Sequence, residues 1–203
     1  MTRPALVLAS ASPRRRALLD EAGIPYELEP SDVDESLDEE QGERLSPEEV
    51  AVHLAERKAR AVAAGRAQRG EELLVLGADT VVALGEGREA RLLGKPEDAA
   101  DARSMLRALS GTRHRVITGV CLVRTRDGRA FAGYERTFVT MREIAPAEVE
   151  AYVVSGEWEG KAGGYAIQET ADAFVVRLEE GGFDNVVGLP VRLVRELLGA
   201  AGA

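Results

Sequence analysis

Three arginines, Arg14, Arg15 and Arg16, follow directly on Ser10-Ala11-Ser12-Pro13 at the end of a short apolar run. Ser12 suits the cap of a helix and Pro13 its first position, which places all three guanidinium groups in a first helical turn. The N–H groups and partial positive charge of a helix start favour anions, so cations gathered there are unfavourable unless something negative lies among them. A phosphate resolves the conflict: the small Ser10 and Ser12 admit a ligand to the backbone, and a guanidinium fork matches phosphate oxygens. The alternative is a solvated basic turn, which costs only roughly 0.3 to 1 kcal/mol per charge.

Other positions carry chemistry of the same kind. Asp79 ends the apolar run Leu73 to Ala78 and, with Thr80, precedes a second run, Val81 to Leu84. A carboxylate at the end of a buried strand is costly unless it is paired, hydrogen-bonded or bound to a metal, which makes Asp79 the first choice for a reacting group. The alternative is a turn aspartate bonded to its own backbone. Lys58 lies about 40° round a helix from Leu54, at the margin of the buried stripe, where it either snorkels to solvent or points into a cleft. Lys95, between Gly94 and Pro96, is presented in the manner of a phosphate contact, although the glycine spacing and following Ser/Thr of a Walker loop are lacking. The acidic segment from Ser31 to Glu43, with Asp34 and Glu35, reads mainly as a solvated loop from which a few carboxylates could hold a metal. Gln168 closes the glycine-rich stretch Gly156 to Gln168; its amide can read a nucleobase edge or simply sit at the surface.

The elements that must position these groups alternate between strand and helix. Ala5 to Ala9 reads as a buried strand, followed by a helix from Ser12 to about Ala22 that Gly23 stops. A brief strand spans Tyr26 to Glu29. Ser46-Pro47-Glu48-Glu49 is a capping box that opens a long helix to about Ala67, with an inward stripe of Val50, Leu54, Ala61 and Val62. The run from Leu73 is a central strand, Gly85 to Arg88 a hairpin turn into Ala90 to Leu93, and Asp98 to Leu109 a helix. His114 to Thr125 and Arg129 to Met141 form a long hairpin turning at Asp127-Gly128, which makes the sheet mixed. A helix from Pro146 to Val154, a strand from Ala173 to Leu178 and a final helix from Val191 to Leu198 complete an α/β fold: a mixed twisted sheet flanked by helices, with two lobes around a central cleft.

Composition narrows the function. A chain of 203 residues with 45% hydrophobic content suits one domain with a substantial core. A net charge of −9 and 4% aromatic residues disfavour a nucleic-acid interface, so local basic clusters point to a small anion. The single Cys121 reads as a core residue, and His53 and His114 are too scattered for a metal cluster or for a Ser-His-Asp assignment. No apolar run is long enough for a signal peptide or a membrane span, and a cytoplasmic location is expected.

In order, LASASPRRR (Leu8 to Arg16), VDE (Val33 to Glu35), LAERKA (Leu54 to Ala59), GADTVV (Gly77 to Val82), GKP (Gly94 to Pro96), LSGTRHRVITG (Leu109 to Gly119), KAGGYAIQ (Lys161 to Gln168) and VVGLP (Val186 to Pro190) resemble the Maf family of nucleoside triphosphate pyrophosphatases. The resemblance spans almost the entire chain. It implies an α/β fold of the inosine triphosphatase type and hydrolysis of a nucleoside triphosphate to monophosphate and pyrophosphate with Mg2+ or Mn2+. It further implies Asp79 as proton acceptor, with Arg15, Glu35, Lys58 and Lys95 as the charged groups around it. Arg14, Thr80 and Gln168 fall at the family's specificity positions, and their pattern is similar to the branch acting on dTTP and UTP. Glu35 and Asp79 are the expected metal ligands, and a homodimer is expected. A different class of role, a nucleotide-binding regulator of cell division acting through a partner, is the alternative.

Overall fold

The computed structural model describes residues 5–36, 45–87, 90–168 and 170–202. The expected Arg88 of the first hairpin turn and the acidic stretch beyond Ser36 to Glu43 lie outside the described residues. Seven strands form one mixed sheet: β1 (Leu6–Leu8), β2 (Glu27–Leu28), β3 (Leu74–Leu84), β4 (Arg91–Leu93), β5 (Arg113–Arg124), β6 (Ala130–Met141) and β7 (Val175–Glu179). Their order is β2-β1-β3-β5-β6-β7, with β4 paired to β3. The helices are α1 (Pro13–Glu21), α2 (Pro47–Gln68), α3 (Ala99–Leu109), α4 (Pro146–Ser155), α5 (Phe183–Val187) and α6 (Val191–Ala201).

Local signals in the sequence explain several of these boundaries. Ser12 caps α1 by accepting from the Arg15 backbone N–H, and the reciprocal Ser46–Glu49 capping box opens α2. Two features differ from expectation. Asp79 does not end a strand, because β3 continues unbroken through it to Leu84. Ala61 is exposed, whereas Ala51, Ala55 and Ala59 face the sheet. Ala61 lies about 120° round the helix from Ala55, at 100° per residue, so the apolar stripe is centred on the small alanines.

The alanines matter because α2 lies almost on the strands beneath it. A β-carbon on Gly77 would stand 2.1 Å from the Ala55 carbonyl oxygen, and one on Gly119 would stand 2.2 Å from that of Ala51. Two glycines on adjacent strands thus form a groove that admits the helix. Val7, Ala55, Ala59, Val62, Val75 and Cys121 form the core between α2 and the sheet. The opposite face carries two further cores. One joins β1, α1 and α6 through Leu8, Leu19, Leu76 and Val194; the other joins α3 and α4 through Leu106, Leu109, Tyr152 and Val153. The two long antiparallel strands β5 and β6 run beneath both.

Candidate active site

The two edges of β3 are unequal. Strand β5 pairs with it from Leu74 to Ala83, but the other edge is shared: β1 pairs with residues 74–76 and β4 with residues 82–84. Between them, Gly77 to Val81 has no partner strand on that side among the described residues. Since β1 runs parallel to β3 and β4 antiparallel, the loops leaving both strands converge on this gap. One brings Ser10 to Ser12 and the start of α1; the other brings Gly94 to Pro96. The result is a cleft of about 540 Å³ lined by Ser10, Ser12, Arg14, Arg15, Glu35, Lys58, Asp79, Thr80, Lys95 and Gln168, among others. These ten residues singled out in the sequence therefore lie on one cleft, some in roles other than those expected, whereas Arg16 and Asp34 do not line it.

Alternation along β3 sends Asp79 towards α2 and Thr80 to the opposite face. Asp79 is buried, and so is Lys58, whose ammonium lies 2.5 Å from Asp79 Oδ1 and 2.8 Å from Glu35 Oε1. The lysine does not snorkel; α2 sits close enough over Gly77 for it to reach inward. Lys95 donates to the other oxygen of Glu35 at 2.6 Å, completing the sequence Asp79–Lys58–Glu35–Lys95. Burial alone would raise the Glu35 pKa, but hydrogen bonds and charge from Lys58 and Lys95 outweigh it and bring it down to about 2. The backbone beside Glu35 is held in turn by Arg57, which donates to the carbonyls of Asp34 and Ser36.

On the other wall Arg15 is held at three points. Its Nε donates to the Gly188 carbonyl at 2.8 Å, one terminal nitrogen to Ser10 Oγ at 3.1 Å, and the other to Thr80 Oγ1 at 3.3 Å. Burial lowers its pKa, opposed by the charges of Asp79 and Glu35. A guanidinium has five N–H groups, so among the described residues two have no partner, one on each terminal nitrogen, and these can serve a phosphate. Ser10 is thus a support for Arg15, and Ser12 is the helix cap. Arg14 lines the mouth, half-buried, and Gln168 lies exposed at the rim. Arg16, by contrast, is not fully solvated: it is half-buried, with Nε covered.

Several contributors were not legible as site residues. Lys161 is buried in the cleft wall, on a loop tied to the Lys95 loop by the bond from Gly163 N–H to the Gly94 carbonyl. Tyr165 lines the cleft, and its hydroxyl pairs with buried His114 Nε2 at 2.8 Å. A lysine amid glycines was the available signal for the first; for the second there was none, since 51 residues separate the partners.

Among the described residues no group of three or more His, Cys, Asp or Glu side chains could hold a metal. The donor set nevertheless fits a magnesium-type ion, which commonly takes one or two carboxylates and completes its shell with substrate phosphates and water. Glu35 and Asp79 both accept from the Lys58 ammonium, which lies between them, and Glu35 accepts from Lys95 as well, so an ion would share these carboxylates with the two lysines. The two carboxylates are the residues that would hold the ion.

Comparison with known proteins follows the same direction. The family model for Maf-like proteins matches residues 5–201. A dTTP/UTP pyrophosphatase of Salinibacter ruber is 46% identical, the match covering 98% of this chain and 91% of the relative. Proteins of the same name from Anaeromyxobacter (48% identical; 97% and 89% covered) and Sphingopyxis alaskensis (47%; 98% and 97%) are similarly close. With one model spanning nearly all of the sequence and relatives at this level of identity, the chain belongs to the Maf family.

Proposed function

We propose that this protein is a nucleoside triphosphate pyrophosphatase that hydrolyses dTTP and UTP to the monophosphate and pyrophosphate. The observation that carries the reading is the cleft itself. A buried carboxylate, Asp79, is paired with Lys58 and shares one cleft with Lys95 and Arg15, in a volume suited to a nucleotide. Hydrolysis of a phosphoanhydride needs charge neutralisation and an oriented water more than covalent chemistry. In this reading Asp79 orients a water and accepts its proton as the oxygen attacks the α-phosphorus. Arg15, Lys58 and Lys95 stabilise the charge that builds on the departing pyrophosphate. A Mg2+ or Mn2+ ion held by Glu35 and Asp79 would polarise the phosphate oxygens and neutralise their charge. The relatives' names support the choice of dTTP and UTP, and Arg14, Thr80 and Gln168 are placed to contact the rest of the nucleotide.

The test is pyrophosphate release from dTTP and UTP with Mg2+, wild type against Asp79→Asn. The variant should bind nucleotide yet lose on the order of 10² or more in turnover. Near-normal turnover in the variant would remove Asp79 from the reaction. A protein that only binds nucleotide to regulate a partner would release no pyrophosphate in the wild-type assay. We also infer a cytoplasmic homodimer. The buried, unpaired Cys121 accords with a reducing compartment, and the exposed apolar Tyr134, Val176 and Phe183 supply surface for association. Among the described residues no helix is long and apolar enough to cross a membrane.

A further inference from the structure

Behind Thr80 runs a set of hydrogen bonds whose direction is fixed by one carbonyl. Thr118, the cross-strand neighbour of Thr80, is fully buried, and its Oγ1 lies 2.8 Å from the backbone oxygen of Asn185. A carbonyl only accepts, so Thr118 has committed its single hydroxyl hydrogen there. The contact between Thr118 Oγ1 and Thr80 Oγ1, 2.9 Å long, then has one possible donor, Thr80. Arg15 donates to Thr80 from the other side. The hydroxyl of Thr80 thus has no hydrogen left for the cleft, and the one function remaining to it is that of acceptor, through its second lone pair.

The carbonyl at the root of this chain is itself anchored. The side chain of Asn185, wholly buried, donates from Nδ2 to the Val116 carbonyl at 3.1 Å and to Thr137 Oγ1 at 2.8 Å. Thr137 passes its own hydrogen to the Gly182 carbonyl. Both main-chain acceptors require the amide nitrogen and the hydroxyl hydrogen where they are, so this part of the chain cannot reverse. Asn185 is clamped across β5 and β6, and its backbone oxygen is held under Thr118.

We propose that Thr118, oriented by Asn185, is a positioning residue for base choice: it fixes Thr80 as an acceptor, so that the cleft favours a nucleotide presenting an N–H at this point over one presenting a lone pair. The proposal rests on the nucleotide reading above and deepens it. Uracil and thymine carry a hydrogen on ring nitrogen N3, whereas cytosine has a lone pair on the same atom. An acceptor that cannot become a donor welcomes the first pair and opposes the second. A threonine free to rotate would serve either.

Replacing Thr118 by valine keeps its shape and removes the lock, so Thr80 can turn its hydrogen towards the cleft. The measurements are kcat/KM for UTP and CTP, and Kd for their α,β-methylene analogues, in wild type, Thr118→Val and Thr118→Ser. Wild type and Thr118→Ser should prefer the uracil nucleotide, and Thr118→Val should lose about tenfold of that preference, the equivalent of one hydrogen bond. A folded Thr118→Val protein with the wild-type preference overturns the proposal. If that variant does not fold, Thr80→Val decides, since it removes the acceptor and leaves the Asn185 carbonyl paired: loss of preference supports the proposal and retention overturns it. If the wild type releases no pyrophosphate, the reading of the activity fails. The analogue Kd values then judge the polarity separately: a uracil preference lost in Thr118→Val supports it, and no preference overturns it.

Discussion

Gly77→Ala tests whether the closeness of α2 to the sheet is what brings Lys58 to Asp79. The added methyl would lie 2.1 Å from the Ala55 carbonyl oxygen and 2.8 Å from the Ala59 nitrogen, both main-chain atoms of α2. Main chain cannot rotate aside as a flexible side chain can, so the helix must lift by roughly 1 Å to restore an ordinary contact. Overpacking of this kind costs about 1 to 3 kcal/mol, or about 2 to 12 °C in Tm for a chain of this size. Asp79 lies two residues along the same face of β3, and Lys58 falls between Ala55 and Ala59, so the lift opens the Lys58–Asp79 contact as well. A displacement of about 1 Å at a reacting group costs on the order of 10² in rate. Pyrophosphate release and thermal unfolding, measured on the same preparation, therefore should both fall. Gly65→Ala is the control on the same helix, where the new methyl meets only an Arg69 nitrogen at 3.8 Å. It should leave activity unchanged and raise stability by about 0.5 to 1 kcal/mol. Activity within twofold of wild type and an unshifted Tm for Gly77→Ala would refute the reasoning.

Arg15→Ala should lower kcat/KM for dTTP by on the order of 10 to 100-fold, with kcat falling as well as KM rising, because charge-assisted hydrogen bonds to the phosphates and the departing pyrophosphate are lost; Arg15→Lys should not restore it, since an ammonium lacks the fork. An unchanged substrate titration for the alanine variant counts against the assignment. Buried His114 gives a stability test in a separate window of pH. Burial pulls its pKa down from 6.5 to about 4, so the unfolded chain takes up a proton before the folded one does. Stability is whole above about pH 6.5 and declines as pH falls, by about 2 kcal/mol at pH 5 and about 3 kcal/mol once pH passes 4. Denaturant titrations at pH 7, 6 and 5 should show this fall in wild type and not in His114→Gln, and equal slopes in the two proteins would contradict it.

The parts of the fold visible in the sequence are those set by short-range chemistry. Ser12-Pro13 and the Ser46–Glu49 box announced α1 and α2, and Asp127-Gly128 marked the turn between β5 and β6, because caps and turns are satisfied within a few residues. Asp79 was recognisable as a site residue from the cost of burying a carboxylate, yet the same cost suggested that the strand stopped there. The strand continues because the compensation comes from 21 residues away, in Lys58. The inward stripe of α2 was misplaced at Ala61 for a related reason. Val50, Leu54 and Val62 of that stripe are buried as expected, but Gly77 and Gly119 centre the contact on Ala51, Ala55 and Ala59, which leaves Ala61 outside it. Likewise the three-point hold on Arg15 draws on Ser10, Thr80 and Gly188, of which only the first is near in sequence.

Asp79 and Thr80 are adjacent residues on one strand and so point to opposite faces of a sheet, which ordinarily places them in separate cores. They line a single cleft here because the β3 edge is uncovered where they stand. A strand paired along that edge through residues 77–81 would wall the two faces from each other. The ends of β1 at Leu8 and of β4 at Leu93 both fall short of these residues, and the uncovered edge joins the α2 side to the α1 side. The division of labour follows from that geometry. Proton transfer and charge neutralisation are assigned to the α2 face, where Lys58 and Glu35 meet Asp79. Nucleotide holding and choice are assigned to the other face, where Arg15 and Thr118 meet Thr80 and Asn185 holds Thr118. A substitution that lengthened β4 by pairing Val81 or Thr80 would therefore disable both functions at once, although it touched neither Asp79 nor Arg15.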